Sequence, residues 1–420
     1  MFRGFSQIFN KYNKDLRRRI YITLACLALF ALGSGVTIPW ASEIYQDLGF
    51  LEIFNIMSGG GLRNFSIFAL GVSPYITASI ITQLLQMDII PYFKELKDQG
   101  FVGRQKINKI NRYMGIIIGF FQAYVLCVAY MGDVTTFVQL KTALVMTAGT
   151  AFCLWMGDQI TTKGIGNGQS MMIMAGIILS MPSVFAGAYN GFINGTYEQA
   201  LGIFFFSLFI LVYILIIVGI IWIQLAERRI QIQYANKSTS SYGNQNSFLP
   251  IKLNSAGVMP VIFASILTTI PATIVAVTKN EKAMEFVNNY IVYNSPTGFI
   301  LYILLILFFG YFYTFMLLNP EEMSKKLNER GGYIPGIRPG EDTCKYISGS
   351  MGKLTFVGSI FLVILSAIPV LFSLIFKLSS AVTIGGTGML IVVGVAIQAY
   401  QRLESSLVSR SYTARRKRLR

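Results

Sequence analysis

The sequence predicts an all-α polytopic membrane protein. Ten transmembrane helices form two inverted five-helix halves, with one re-entrant segment after the first span. Three observations predict this. Hydrophobic residues make up 54% of the 420-residue chain and charged residues only 13%, with a mean hydropathy of +0.57. A soluble domain carries roughly 25% charge. A ten-residue pattern occurs twice, as Gly71-Val72-Ser73-Pro74-Tyr75-Ile76-Thr77-Ala78-Ser79-Ile80 and as Gly257-Val258-Met259-Pro260-Val261-Ile262-Phe263-Ala264-Ser265-Ile266, with seven positions identical. Lys and Arg segregate to alternate loops. Internal repeats in membrane proteins mark structurally related halves, and the transport pathway commonly runs between them.

In chain order, residues 1–19 form a basic N-terminal segment. Apolar windows then fall at 20–38, 72–88, 113–131, 141–158 and 169–187, which make the first half. The second half holds windows at 201–225, 256–277, 298–318, 354–376 and 383–401, and a basic tail at 402–420 closes the chain. Each window is near the roughly 20 residues that a helical span needs. The first follows Arg17-Arg18-Arg19 as the core of a signal peptide would, but nine further spans and the lack of a small-residue cleavage site make it a retained span.

An even span count puts both termini on one side. The loops on that side then hold 30 of the 35 Lys and Arg, leaving only Arg63, Lys141, Lys279, Lys282 and Lys377 outside. This asymmetry places both termini in the cytoplasm. The net charge of +16 is then mostly topology and implies no nucleic-acid partner.

Several chemistries are excluded. There is no histidine, which removes imidazole bases, most zinc and haem sites, and Ser-His or Cys-His nucleophile pairs. The four cysteines form no C-x-x-C; Cys26, Cys127 and Cys153 lie in apolar runs, and Cys344 in a charged loop. Asp158 and Glu227 fall at predicted helix ends, so no ionisable group is expected in mid-span, which argues against an ion-coupled permease. No G-x-x-x-x-G-K-[ST] loop is present; Gly164–Gly168 reads as a tight turn into a helix. The chain is not expected to be an enzyme or to carry a metal or cofactor.

Residues 53–68 fit neither a span nor a solvated loop. They are apolar, yet Gly59, Gly60, Gly61 and Arg63 interrupt them. A re-entrant segment buried in protein satisfies both constraints; an interfacial helix on the outer leaflet is the alternative.

These residues resemble the SecY family, the channel subunits of the bacterial Sec protein translocase. The resemblance rests on Phe65–Gly71, Pro74–Ile80 and Gln83-Leu84-Leu85, and then on Gly164–Gly168, Leu249–Val258 and Tyr311–Thr314. It continues through Tyr333-Ile334-Pro335-Gly336-Ile337-Arg338-Pro339-Gly340 and Gly385-Gly386-Thr387, covering about residues 14–412. The resemblance implies a protein-conducting channel that passes unfolded preproteins across the membrane and releases membrane segments laterally between the second and seventh spans. It implies a plug at about 53–68, with Ile56, Ser58, Gly59, Gly60, Gly61, Leu62, Arg63 and Asn64. A pore ring of Val72, Ile76, Ile173, Ile262 and Ile391 would close the waist, since a narrow apolar constriction dewets and blocks ions. The lateral gate would hold Pro74, Thr77, Ser79, Gln83, Gln122, Pro260 and Ser265. Two cytoplasmic loops, 227–255 and 319–353, would dock the ATPase SecA or a ribosome through Arg228, Arg229, Lys237, Arg338, Pro339 and Gly340. The implied partners are SecE, SecG, SecA, the ribosome, signal peptides and preproteins. Anionic lipids would meet the basic tail, and a dimer is a further implied assembly. The location would be a bacterial cell membrane.

The chain departs from the family pattern at Trp40-Ala41, Gln169, Gly388, Gln398 and the Ser/Asn-rich loop 236–248. None of these is expected to touch the ring or Arg338. They leave open an accessory SecY paralogue with restricted clients. A polytopic small-solute transporter and a passive scaffold are further alternatives, though a transporter should place a polar site at mid-membrane, where this repeat offers Val and Ile.

Overall fold

The computed structural model describes residues 14–41, 52–86, 90–131, 134–193, 199–234, 247–278, 281–291, 295–376 and 380–418. The first half comprises α1 (Lys14–Ser34), the short α2 (Glu52–Met57), α3 (Ser73–Leu85), α4 (Pro91–Asp98), α5 (Phe101–Tyr130), α6 (Thr136–Lys163) and α7 (Gly168–Ile193). The second begins with α8 (Gln199–Leu225), strands β1 (Glu227–Tyr234) and β2 (Ser247–Lys252), α9 (Met259–Thr278), and α10 (Glu281–Tyr290). It ends with α11 (Pro296–Leu317), α12 (Pro320–Glu329), β3 (Gly332–Tyr333), α13 (Glu341–Phe376) and α14 (Ser380–Arg418).

Each apolar window corresponds to one helix: α1, α3, α5, α6, α7, α8, α9, α11, α13 and α14 are the ten spans in order. Among the described residues, six helices are long and apolar enough to cross a membrane by length and composition alone. The helices outrun their windows on the polar side. α5 starts at Phe101 rather than near 113, α13 at Glu341 rather than 354, and α14 runs through the basic tail to Arg418. Hydropathy marks where lipid ends, whereas backbone hydrogen bonding continues into water. At 1.5 Å per residue the 30 residues of α5 span about 45 Å, against roughly 30 Å of hydrocarbon. The sixth span, α8, is apolar on every face and exposes Leu201, Phe204, Leu215 and Trp222, as a helix against lipid does.

Helix pairing repeats at an offset of five spans. In the first half α3 packs on α5, α5 on α6, α6 on α7, and α1 on both α6 and α7. In the second, α9 packs on α11, α11 on α13, α13 on α14, and α8 on both α13 and α14. The halves meet where α7 packs on α8 and α14, and where α9 packs on α5. An aromatic cluster of Phe192, Phe205, Phe209, Tyr213, Phe372 and Phe376 joins spans five, six and nine.

Three expectations need correction. Asp158 is not at a helix end: it lies five residues inside α6, 3.0 Å from the guanidinium of Arg112, itself eleven residues inside α5. The pair neutralises both charges, so it ties spans three and four together and leaves no free ionisable group there. Glu227 belongs to β1, since α8 ends at Leu225. The segments around 227–255 and 319–353 are not two separate loops. β1 pairs antiparallel with β2, from Glu227 opposite Lys252 to Ile232 opposite Ser247, and with β3 through Gln233 opposite Tyr333. The sheet order is β2-β1-β3. Ile230, Ile232 and Ile251 on one face pack with Leu327, Ile334, Ile347 and Met351 into a small core of their own.

The Trp40 departure has a structural role. Its indole N–H donates to Thr142 Oγ1 at 3.0 Å, and the Lys141 ammonium lies 3.7 Å from the ring centroid, fastening the first loop to the fourth span.

Candidate functional site

The two copies of the repeat adopt one geometry. Gly71 and Gly257 have φ of +52° and +64°, the left-handed region that glycine enters without strain. Each glycine N–H donates to the carbonyl three residues earlier, Phe68 in one copy and Asn254 in the other. Pro74 and Pro260 then sit in the first turns of α3 and α9, where a missing N–H costs nothing. The Ile76 and Ile262 N–H groups both donate to the repeat valine, Val72 and Val258 respectively, at 3.3 Å. The motif is thus a turn that starts the second helical span of each half.

The broken segment is folded and buried. α2 ends in a Schellman turn: Gly59 N–H donates to Ile56 O and Gly60 N–H to Asn55 O. Ile56, Leu62 and Phe65 are buried, and Ser58 is fully so. The segment is tied internally. Asn55 Oδ1 accepts from Arg63 N–H at 3.1 Å, and its amide donates to Glu52 at 2.9 Å. The Arg63 guanidinium lies 4.0 Å from Glu52. Residues 36–38 hold the other end, with Ile38 N–H donating to Phe65 O and Ile67 N–H to Val36 O. Asn64 lies in the turn between these ties. Burial within protein satisfies the re-entrant expectation rather than the interfacial helix.

Around one small cavity, Ile56 and Met57 of α2 face Ile177 of α7, Val261, Ile262, Ser265 and Ile266 of α9, and Thr387, Gly388 and Ile391 of α14. They enclose about 10 Å³, the lower limit for one water. Two of the five expected ring residues, Ile262 and Ile391, line this space. Val72, Ile76 and Ile173 are buried in the same apolar cluster without lining it. Ile177, one helical turn beyond Ile173, lines it instead. Gly388 also lines it, so one departure does reach the waist, contrary to expectation; a side chain there would crowd Ile177.

Along the seam between the halves, polar side chains bond within their own half, Ser265 also with Tyr302 of α11. Thr77 donates to Ser73 O, Gln83 to Ser79 Oγ, and Ser265 to Val261 O. Pro74 packs on Gly119 of α5, Pro260 is buried, and Gln122 is half-buried. Among the described residues, no hydrogen bond of these groups crosses from one half to the other. The contact of α9 with α5 can therefore open without leaving a buried donor unpaired.

The three-stranded sheet and the turn beside it hold the docking candidates. Arg338 is exposed on a turn between Ile334, which is buried, and Gly340. The Arg338 carbonyl accepts from Thr343 Oγ1 at 2.8 Å, and the Gly340 carbonyl from Ser324 Oγ at 2.9 Å. Pro339 is exposed beside it, and the Arg338 guanidinium has no carboxylate partner among the described residues. Arg228 is exposed on β1, and Arg229 pairs with Glu227 at 2.8 Å. Lys237 lies outside the described residues. Among the described residues no group of three or more His, Cys, Asp or Glu is placed to hold a metal.

Sequence reasoning missed Glu52, one residue before the broken segment, Asn55 within it, and Gly176 and Ser180 of α7, on which α2 rests. A Gly and a Ser four apart in an apolar window were the available signal.

The SecY family model matches residues 66–400. A protein translocase subunit SecY from Halalkalibacterium halodurans is 43% identical over 430 residues, covering 98% of this chain and 99% of that one. Two solved structures share the fold at 20% identity, each covering 94% of this chain and 93% of its own. One is a SecY whose plug domain stabilises the closed state of the translocation channel and maintains a membrane seal, with a TM-score of 0.65. The other is Sec61 in the canine ribosome-channel complex from the endoplasmic reticulum, with a TM-score of 0.67.

Proposed function

The chain belongs to the SecY family, and from that membership we propose that the contact of α2 with α9 and α14 is the resting seal of its translocation path. The protein is a membrane-embedded protein translocase subunit of the channel-forming type, not an enzyme by itself. The solute-transporter and scaffold alternatives fall with this membership.

Unfolded preproteins pass between the two halves. Branched aliphatic side chains at the waist close around any sequence because they ask for no specific hydrogen bond. Empty, they exclude ions by excluding water. Signal peptides and membrane segments leave sideways between the second and seventh spans, α3 and α9. The hydrogen bonds of Thr77, Gln83 and Ser265 stay within one half, which supports this, since separation of the halves costs those groups packing alone. SecA or a ribosome docks on the three-stranded module through Arg338 and Arg228. SecE and SecG complete the complex in a bacterial cell membrane, and both termini face the cytoplasm. Anionic lipids meet the basic end of α14.

The observation that carries the proposal is the packing of Ile56 and Met57 against Ile262 and Ile391 around about 10 Å³. The test is deletion of residues 55–65, or Ile76→Asn with Ile262→Asn, in channels reconstituted into vesicles. Ion leak should rise, and preproteins with weakened signal sequences should be exported. Wild-type leak together with wild-type stringency would overturn the seal.

A further inference from the structure

We infer that Gly176 and Ser180 of α7 are positioning residues that form a releasable seat for the backbone of the plug. The inference rests on the reading of α2 as a plug.

Residues 176 and 180 lie one above the other on one face of α7, four positions apart. A methyl group on Gly176 would overlap the carbonyl oxygen of Met57. Ser180, buried, donates from Oγ to the carbonyl of Ile56 at 3.0 Å. Both contacts are therefore with main-chain carbonyls of the last turn of α2, that of Ile56 being shared between Ser180 Oγ and the Gly59 N–H of the Schellman turn. Leu179 lies under Gly59 in the following turn. The seat holds the plug by its main chain, whatever side chains the plug carries.

The helix gains nothing from either residue. Glycine in a helix interior is less favourable than alanine by about 1 kcal/mol, so the missing Cβ at 176 serves the neighbour. Release is also favoured by the chemistry. A serine in a helix can turn its hydroxyl to the carbonyl four residues back, here that of Gly176. When the plug leaves, Ser180 keeps a partner and α7 carries no buried unpaired donor. The ties among Glu52, Asn55 and Arg63 hold the departing segment as one folded piece.

The test compares Gly176→Ala and Ser180→Ala in two backgrounds, the full channel and the channel lacking 55–65, each as the assembled complex in vesicles. Ion leak and export of preproteins with defective signal sequences are the readouts. In the full channel Ser180→Ala should raise the undocked fraction about tenfold, the scale of one lost buried hydrogen bond, and Gly176→Ala should raise it at least as far, because its methyl group overlaps the Met57 carbonyl. In the shortened channel neither should add anything, because the group they hold is gone. Equal increments in both backgrounds would overturn the seat and make these residues ordinary packing positions. Wild-type behaviour of both variants, where the deletion itself leaks, would also overturn it. If the deletion does not leak, the plug reading fails first, and the seat with it.

Discussion

Arg338 is held by what surrounds it rather than by its own side chain. The buried Ile334 anchors one end of its turn, and Thr343 and Ser324 donate to main-chain carbonyls at 338 and 340. Reversing the charge should therefore cost the fold no more than about 0.5 kcal/mol, as for other exposed substitutions. At a docking surface the same change replaces attraction with repulsion, at roughly 2–5 kcal/mol for a desolvated pair. At 1.4 kcal/mol per tenfold, binding weakens by about one and a half to nearly four powers of ten. SecA-driven translocation by Arg338→Glu channels, at matched abundance in vesicles, should be abolished, with Lys237→Glu the milder comparison. Normal translocation by the Arg338→Glu channel would remove its role. Residues at the waist were legible to different degrees. Ile262 stands at the repeat position of Ile76, yet its place in the ring, like that of Ile391, comes only through resemblance. Ile177 and Val261 stayed hidden because every aliphatic in an apolar window carries the same signal.

The three-stranded module carries the proposed docking residue Arg228, with Arg338 on the turn beside it, and its strands come from segments 100 residues apart, as the Gln233–Tyr333 pairing records. The alternation Ile230-Gln231-Ile232-Gln233 marks a half-buried strand by its period of two. The charge around it answers only the question of topology and hides this short period within an apparent loop. The partner strand has two residues, Gly332 and Tyr333, too few to show any period. Helix ends were misjudged for a related reason, since polar residues at 101–112 and 402–418 continue the hydrogen-bond ladder after hydropathy has fallen. Ile230 is buried under the module with Leu327 and Ile347. Ile230→Asp should place an unpaired charge there, a change costing several kcal/mol, so the module opens. The expected result is loss of SecA-driven export together with new protease sensitivity of the cytoplasmic face in inverted vesicles. Ion leak should stay at the wild-type level, because the waist is built from α2, α7, α9 and α14. A rise in leak would show that module and waist fold as one unit.

At the scale of the whole molecule, two patterns of independent origin agree. Helix pairing within spans one to five recurs within spans six to ten, and the Gly-Val-x-Pro turn opens the second member of each set. Five spans is an odd number, so the second half starts on the opposite side from the first, and related halves are inverted. The charge pattern is a separate argument, because it acts during insertion and not through packing. With ten spans, the basic segments at 14–19, 101–112, 325–353 and 402–418 all fall on one side. Nine or eleven spans would put the Arg17–Arg19 cluster and the Arg415–Arg420 tail on opposite sides, against the positive-inside bias. The long helical extensions of α5, α13 and α14 would project on that same side, as a platform around the sheet. A reporter fused after Arg420 should therefore be active only in the cytoplasm, and one inserted in the loop near Lys279 only outside. Activity of the C-terminal fusion on the outer face would reject the inverted arrangement. It would also remove the docking proposal, since Arg338 would then face away from any cytoplasmic ATPase.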